Sequence, residues 1–303
     1  MESPEISLRI RERLIGANGE AGREWLARFP ALLREVCARW DVVSLEPAFE
    51  YVGYAWVAPV RLGSGEPAVL KLAPPGAESV AECAALRLYD GDGAVRVLEA
   101  DPSAVALLLE RLEPGTPLAD FEDDTEATAI AARAMARCFR PLPANHGFPT
   151  VERLGAAFAR VRVANGGGCG PFPADLFHPA ERLYFELCES QSPPVLLHGD
   201  LHHWNILRAG REPWLVIDPK GVAGEPAFEP AACLRNRVDI EGDVTETALR
   251  RIAQFAETLG VDRERVLRWG FAAGMLSALW HFEDHGDTDE RWLALPRALL
   301  PFV

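Results

Sequence analysis

Two short segments hold residue types that could do chemistry together: His198-Gly199-Asp200-Leu201-His202-His203-Trp204-Asn205 and Ile217-Asp218-Pro219-Lys220-Gly221. Asp200 leaves the apolar run Val195-Leu196-Leu197. Asn205 follows five residues later, and Asp218 closes a second apolar run, Trp214-Leu215-Val216-Ile217, thirteen residues after that. Two carboxylates and an amide at this spacing supply one group to accept a hydroxyl proton and two hard oxygen ligands for magnesium. That is the set phosphoryl transfer from ATP requires. A zinc-dependent hydrolase competes for the same residues, because His198, Asp200, His202 and His203 alternate along the chain as zinc ligands do. Against it, the order permutes the H-x-H-x-D-H of metallo-hydrolases, and seven histidines in all are few for a two-metal site. Zinc also leaves Lys71, Asn205 and Asp218 without a task.

The H-G-D-x-x-x-x-N run resembles the H-R-D-x-x-x-x-N of protein kinases, and Asp218 of I-D-P-K-G stands where they carry D-F-G. The segments LLHGDLHHWNIL, WLVIDPKGVAGEPAFEPA and LLERLEPGTPL, with Ala278-Leu279-Trp280, are similar to aminoglycoside phosphotransferases. Within these, the likeness is to the streptomycin 6-phosphotransferase and hydroxyurea kinase family, over roughly residues 45–285. The resemblance implies an α+β, two-lobed protein-kinase-like fold, with a small antiparallel-sheet N-lobe and a mainly helical C-lobe. It implies ATP and Mg²⁺, and transfer to an antibiotic hydroxyl. By the same resemblance Asp200 is the catalytic base, and Asn205 and Asp218 are metal ligands. Lys71 of the strand AVLKLA binds the α- and β-phosphates, steadied by Glu82, for which Glu78 is a competitor. Backbone groups near Glu110 and Leu112 hold adenine. The chain departs from the pattern in two places. No GxGxxG precedes Lys71, where only Gly53 stands in EYVGYAWVAPV, and Pro219 replaces the DFG phenylalanine, so no protein-kinase-style activation switch is expected. Lys220 could touch phosphate or pair with a surface carboxylate.

Streptomycin carries two guanidinium groups, so a pocket for such a cation should present carboxylates. The candidates are Glu225 and Glu229, just past the metal aspartate, and Glu283, Asp284 and Asp287 near the C-terminus, with Trp280 as a flat face for a guanidinium. Hydroxyurea, an amino alcohol or a sugar are the other acceptors this core could serve. A non-catalytic binding module is the remaining class, and its mark would be a missing base, metal ligand or lysine. None is missing.

These groups must be positioned by a chain of 303 residues, enough for two lobes at about 100–200 residues per domain. The expected lobes are 1–112, binding nucleotide, and 113–303, binding the acceptor, joined at Glu113-Pro114-Gly115-Thr116-Pro117. Hydrophobic residues make up 49%, which supports a sizeable core, and the net charge is −14. An acidic surface repels phosphate backbones and makes nucleic acid a poor partner. Six cysteines, at 37, 83, 138, 169, 188 and 233, form no CxxC and read as reduced and mostly buried. The N-terminus MESPEISLRIRERL lacks an apolar core, and Ala104–Leu109 is far below the ~18 residues of a membrane helix. A cytoplasmic protein acting on a small molecule, with no membrane partner, is the expectation.

Apolar residues from Trp25 to Trp40 recur at helical steps, with Pro30 as a kink or a new first turn. Phe49–Val60 and Ala68–Ala73 read as strands. A helix over Glu78–Tyr89 places Val80, Cys83, Ala84 and Leu88 on one side, and Val95–Leu98 with Val105–Leu109 reads as a hairpin. An amphipathic stripe from Ala127 to Cys138 has Thr125 as a candidate N-cap. Asn165–Gly170 (NGGGCG) reads as a loop rather than a phosphate cradle, since no GK[ST] follows. Residues 244–260 and 263–283 close the chain as helices.

Overall fold

In a computed structural model, which describes residues 6–50, 53–236 and 242–303, the chain forms two compact units, Met1–Gly115 and Thr116–Val303. Helix α1 (Leu8–Arg39) opens the first. Its break lies at Gly19, whose φ of 55° and ψ of −128° leave the helical region, and Pro30 sits inside the helix that follows. Of the two expectations for Pro30, the new first turn is not met, because Pro30 lies inside a continuing helix; the backbone leaves helical geometry at Gly19, where glycine takes a positive φ without steric cost.

Strands β1 (Val42–Leu45), β2 (Trp56–Leu62) and β3 (Pro67–Leu72) lead into helix α2 (Ala77–Tyr89) and then β4 (Val97–Asp101) and β5 (Ala106–Glu110). They form one five-stranded sheet in the order β1-β2-β3-β5-β4, every pair antiparallel. The strand expected from Phe49 begins at Trp56, and Tyr51 and Val52 lie outside the described residues. Helix α1 covers one face of the sheet through Trp25, Phe29, Leu33 and Val36, which pack with Trp56, Ala58, Leu70 and Leu108. Full burial of each large apolar side chain stabilises by about 1.5–3 kcal/mol.

Helix α2 turns a different face inward from the one expected. Val80 is 58% exposed and Leu88 36%, while Ala81, Cys83, Ala85, Leu86 and Tyr89 are buried. The buried face carries Glu82 among these apolar residues, and of the expected stripe only Cys83 is buried.

The second unit begins within β6 (Pro114–Pro117), which borders β8 (Ile206–Ala209), itself paired on its other edge with β9 (Trp214–Val216), in a three-stranded sheet. β7 (Val195–Leu197) and β10 (Val222–Gly224) make a separate antiparallel pair. The rest is helical: α3 (Asp124–Cys138), α4 (Val151–Leu154), α5 (Ala156–Ala164), α6 (Ala174–Glu189), α7 (Pro230–Arg235), α8 (Val244–Leu259), α9 (Arg263–His285) and α10 (Glu290–Leu299). The N-cap of α3 is Asp123, whose carboxylate accepts the Thr125 and Glu126 N–H groups, and not Thr125. Helix α9 is apolar around most of its circumference from Val266 to Leu279, as a central helix must be, and α6, α7, α8 and α10 pack on it. All six cysteines are free thiols and five are buried. Among the described residues no helix is long and apolar enough to cross a membrane.

Candidate active site

In the first unit, β3 presents Lys71 and α2 presents Glu82. Lys71 Nζ donates to Glu82 Oε1 at 2.6 Å, with both side chains almost buried, at 12% and 10% exposure. Eleven residues separate them in sequence, and the strand-to-helix turn brings them together. A cavity of about 170 Å³ opens beside the pair, walled by Ala73, Ser79, Cys83, Val105 and Leu107. Glu110 ends β5. Its N–H donates to the Arg96 carbonyl at 3.0 Å and its carboxylate accepts the Arg96 N–H at 2.8 Å, and Leu112 follows two residues on, half-buried.

In the second unit, β7 delivers His198, Gly199 and Asp200. Gly199 has φ +84°, and a Cβ there would stand 2.5 Å from Val222 Cγ2, so the turn requires glycine. His198 is fully buried and bridges the two motif segments. Its Nδ1 accepts the Asp200 N–H at 3.3 Å, and its Nε2 donates to the Ile217 carbonyl at 2.8 Å. Its carbonyl accepts the N–H groups of Lys220 and Gly221 at 2.8 and 3.1 Å. Burial pushes the imidazole down to about 4, so it serves as a neutral strut. Asn205 Nδ2 donates to the Asp200 carbonyl at 3.0 Å, and the Asn205 carbonyl accepts the Ile217 N–H at 3.0 Å. Asp218 has φ +60°, a left-handed conformation costing a non-glycine residue about 1–2 kcal/mol. Bonds that join His198 and Asn205 to Ile217 thus tie the segment that carries Asp200 and Asn205 to the one that carries Asp218.

The fit to magnesium rests on chemistry of the donor set. Asn205 uses its amide nitrogen as a donor to the loop, which fixes the orientation of the amide, and Asp218 adds one carboxylate. Magnesium retains several waters and takes phosphate oxygens, so one carboxylate and one amide suffice. Zinc does not fit. His198 is spent on the loop backbone. His203 is buried, with its Nδ1 3.0 Å from Asn236 Oδ1, and only Asp200 and His202 remain near each other. Among the described residues no three His, Cys, Asp or Glu side chains converge to hold a metal.

The carboxylates expected to meet a cation separate into two kinds. Glu225 is 1% exposed. It takes the Arg265 Nε at 2.6 Å, the Trp269 indole N–H at 2.5 Å and the Ser192 N–H at 3.1 Å. Glu229 is 2% exposed and accepts the Gly199 N–H at 3.1 Å. Both are corrections, since an internal carboxylate with its lone pairs committed has none to offer a soluble cation. Glu229 instead buttresses the loop. Burial raises its pKa to about 7, against the lowering pull of the Gly199, His198 and Leu201 N–H groups. Glu283 is held by the Arg160 fork at 2.7 and 2.8 Å, Asp287 lies 2.9 Å from His281 Nε2, Asp284 is exposed and Trp280 is half-buried on α9.

Two residues stand beside Asp200 without a role in phosphoryl transfer assigned from the sequence: His202, weighed only as a zinc ligand, and Arg235, not weighed at all. Arg235, the last residue of α7, places Nη2 4.0 Å from Asp200 Oδ1, and His202 places Nε2 3.9 Å from Asp200 Oδ2. Burial lowers the pKa of both. His202 could have been picked from its place beside the motif, whereas Arg235 carries no local signal.

The Aminoglycoside/hydroxyurea antibiotic resistance kinase family model matches residues 40–286. The chain is 36% identical to the streptomycin 6-kinase of Streptomyces glaucescens over 272 residues, 88% of each chain. It is 34% identical to the hydroxyurea phosphotransferase of Kitasatospora aureofaciens, over 98% of this chain and 86% of that one. In fold it is similar to the choline kinase of Streptococcus pneumoniae, with a TM-score of 0.63 and 12% identity over 89% of this chain and 96% of the other. A kinase-like architecture, a loop that gathers Asp200, Asn205 and Asp218, and this extent of match lead to one conclusion: the chain belongs to the aminoglycoside/hydroxyurea antibiotic resistance kinase family and is a phosphotransferase acting on a hydroxyl group.

Proposed function

We propose that the chain transfers the γ-phosphoryl of ATP to a hydroxyl of an aminoglycoside antibiotic, with streptomycin the first candidate. The observation that carries this reading is the Asp200 loop, built on Gly199, His198 and Asn205, in a chain 36% identical to a streptomycin 6-kinase. In this reading the first unit binds nucleotide, with Lys71 on its phosphates, Glu82 steadying Lys71, and the backbone near Glu110 and Leu112 holding adenine. Asn205 and Asp218 would hold magnesium, which when bound neutralises charge on the β- and γ-phosphates. Asp200 accepts the proton of the acceptor hydroxyl as its oxygen bonds to the γ-phosphorus. The bond from that phosphorus to the β–γ bridging oxygen breaks, and ADP leaves. The acceptor is held by the second unit.

Hydroxyurea is the second reading, favoured by the hydroxyurea phosphotransferase match along nearly the whole chain. An ADP-release assay with streptomycin, other aminoglycosides, hydroxyurea and choline, with products identified by mass spectrometry, separates the two. Streptomycin is expected to give the highest kcat/KM. Turnover of hydroxyurea alone would replace the acceptor and keep the chemistry. No phosphorylated product from any of them would overturn the reading.

A further inference from the structure

The surroundings of Asp200 contain more donor capacity than the chain itself uses. Arg235 Nε is buried and has no hydrogen-bond partner among the described residues, and the same holds for His202 Nδ1. Arg235 Nη2 and His202 Nε2 approach the two Asp200 oxygens at 4.0 and 3.9 Å, outside hydrogen-bonding range. Asp200 itself remains 31% exposed in its side chain, against 19% for Arg235. A desolvated guanidinium with an unmade bond is costly, and neither a distant carboxylate nor an aromatic neighbour fully offsets it.

The arrangement is nevertheless held in place from two sides. The Arg235 guanidinium lies over the Trp292 ring at 4.6 Å, and Trp292 stacks on His281 at 4.8 Å with 17° between planes. The turn that carries Arg235 is fastened by Arg251 Nη1, which donates to the Cys233 and Asn236 carbonyls at 3.1 and 2.7 Å. A side chain fixed by stacking and by its backbone, but short of hydrogen-bond partners, is prepared for a ligand that brings them.

We propose that Arg235 is an acceptor-binding residue that donates to an oxygen of the acceptor beside the hydroxyl being phosphorylated. His202 flanks the same position from the other side. Two under-used donors beside Asp200 suit an oxygen-bearing, uncharged portion of the acceptor, and a cationic group placed there would meet the guanidinium. The site therefore selects an acceptor with a second oxygen next to the reacting one, and directs any cationic substituents away from Asp200. This rests on the phosphotransfer reading given under Proposed function.

The test compares wild type with Arg235→Gln, Arg235→Lys and Arg235→Ala, using ATP with streptomycin and, separately, hydroxyurea. Arg235→Gln should lower acceptor kcat/KM by about 10- to 100-fold, the range for a hydrogen bond from a charged donor, while ATP KM moves less than about twofold. Lysine should restore part of the loss, as a point charge without the planar fork. Added guanidinium should raise the rate of Arg235→Ala several-fold, an effect a packing role would not produce. Trp292→Leu should move acceptor KM in the same direction by less. An unchanged acceptor kcat/KM in folded Arg235→Gln overturns the proposal, as does a loss that follows a fall in Tm with no guanidinium rescue. If wild type phosphorylates none of the acceptors in the panel given under Proposed function, that reading falls and this inference with it. An active wild type with an unaffected Arg235→Gln removes the inference alone.

Discussion

The second unit contains two buried clusters of charge, and they are settled in opposite ways. Around Asp124, 5% exposed, every strong donor is matched. Arg251 reaches its carboxylate at 2.5 and 2.9 Å, Arg250 adds a bond at 2.8 Å, and the remaining Arg251 nitrogen caps the carbonyls at the end of α7. Burial would raise the Asp124 pKa, but these arginines hold it at about 2. Around Asp200 the charges are close but outside hydrogen-bonding range, two buried nitrogens lack partners among the described residues, and burial raises the Glu229 pKa to about 7. A buried network with all its bonds made can do no more than hold the fold together. One with bonds left open keeps donors that a ligand can satisfy, which is the basis of the role proposed above for Arg235.

The contrast can be broken by substitution at each cluster. Asp200→Asn should show the largest effect, a fall in kcat of roughly 10²- to 10⁴-fold, the share of general base catalysis, with a Tm close to wild type. Steady-state kinetics beside a thermal melt measures both, and near-normal turnover would remove Asp200 from the chemistry. Next in size is Arg251→Met. It leaves Asp124 buried with one arginine fewer and should cost about 3–5 kcal/mol in urea unfolding. The double variant Asp124→Leu/Arg251→Met should regain much of that loss, because an uncompensated charge is worse than none. A single variant as stable as wild type would mean the cluster is not fully desolvated.

Glu229→Gln should give the smallest effect, and it is one of slope. A carboxyl raised from about 4.5 to about 7 in the folded state binds more protons there than in the unfolded chain. Its contribution to stability is therefore fully present below about pH 4.5 and is lost as pH rises to about 7. Glutamine keeps one acceptor oxygen for the loop N–H groups and does not titrate. The fall in stability between pH 5 and 7 should flatten by up to about 1.4 kcal/mol per pH unit, read from urea midpoints at several pH values. Parallel pH profiles for wild type and variant would show that Glu229 does not titrate in this window.

Much of the loop around Asp200 was legible because its demands are local. The roles proposed for Asp200, Asn205 and Asp218 would require the three to lie close together, and the shortest route is a strand end, a tight turn and a second strand, which confines them to short motifs. Gly199 is part of the same signature, since only a residue without Cβ passes Val222. Lys71 and Glu82 were legible for a similar reason, one strand and the helix after it bringing them to 2.6 Å.

What tertiary structure decided is which charges face inward. Glu225, Glu229, Glu283 and Asp287 are all acidic residues near the right motifs, and composition does not distinguish them. Packing against Arg265 and Trp269 buries the first, the loop N–H groups claim the second, and Arg160 and His281 engage the other two. On helix α2 the expected stripe of Val80, Cys83, Ala84 and Leu88 is only partly buried, and Ala81, Ala85, Leu86 and Tyr89, with Glu82, face inward. Arg235 lies 35 residues beyond Asp200 in a segment with no motif, and it reaches the site only because α7 ends there and Trp292, from another helix, holds it. The types and short-range spacing of reactive groups are written along the chain because bonding geometry is short-ranged. Burial and long-range pairing arise from the packing of distant segments, which exists only once the chain has folded.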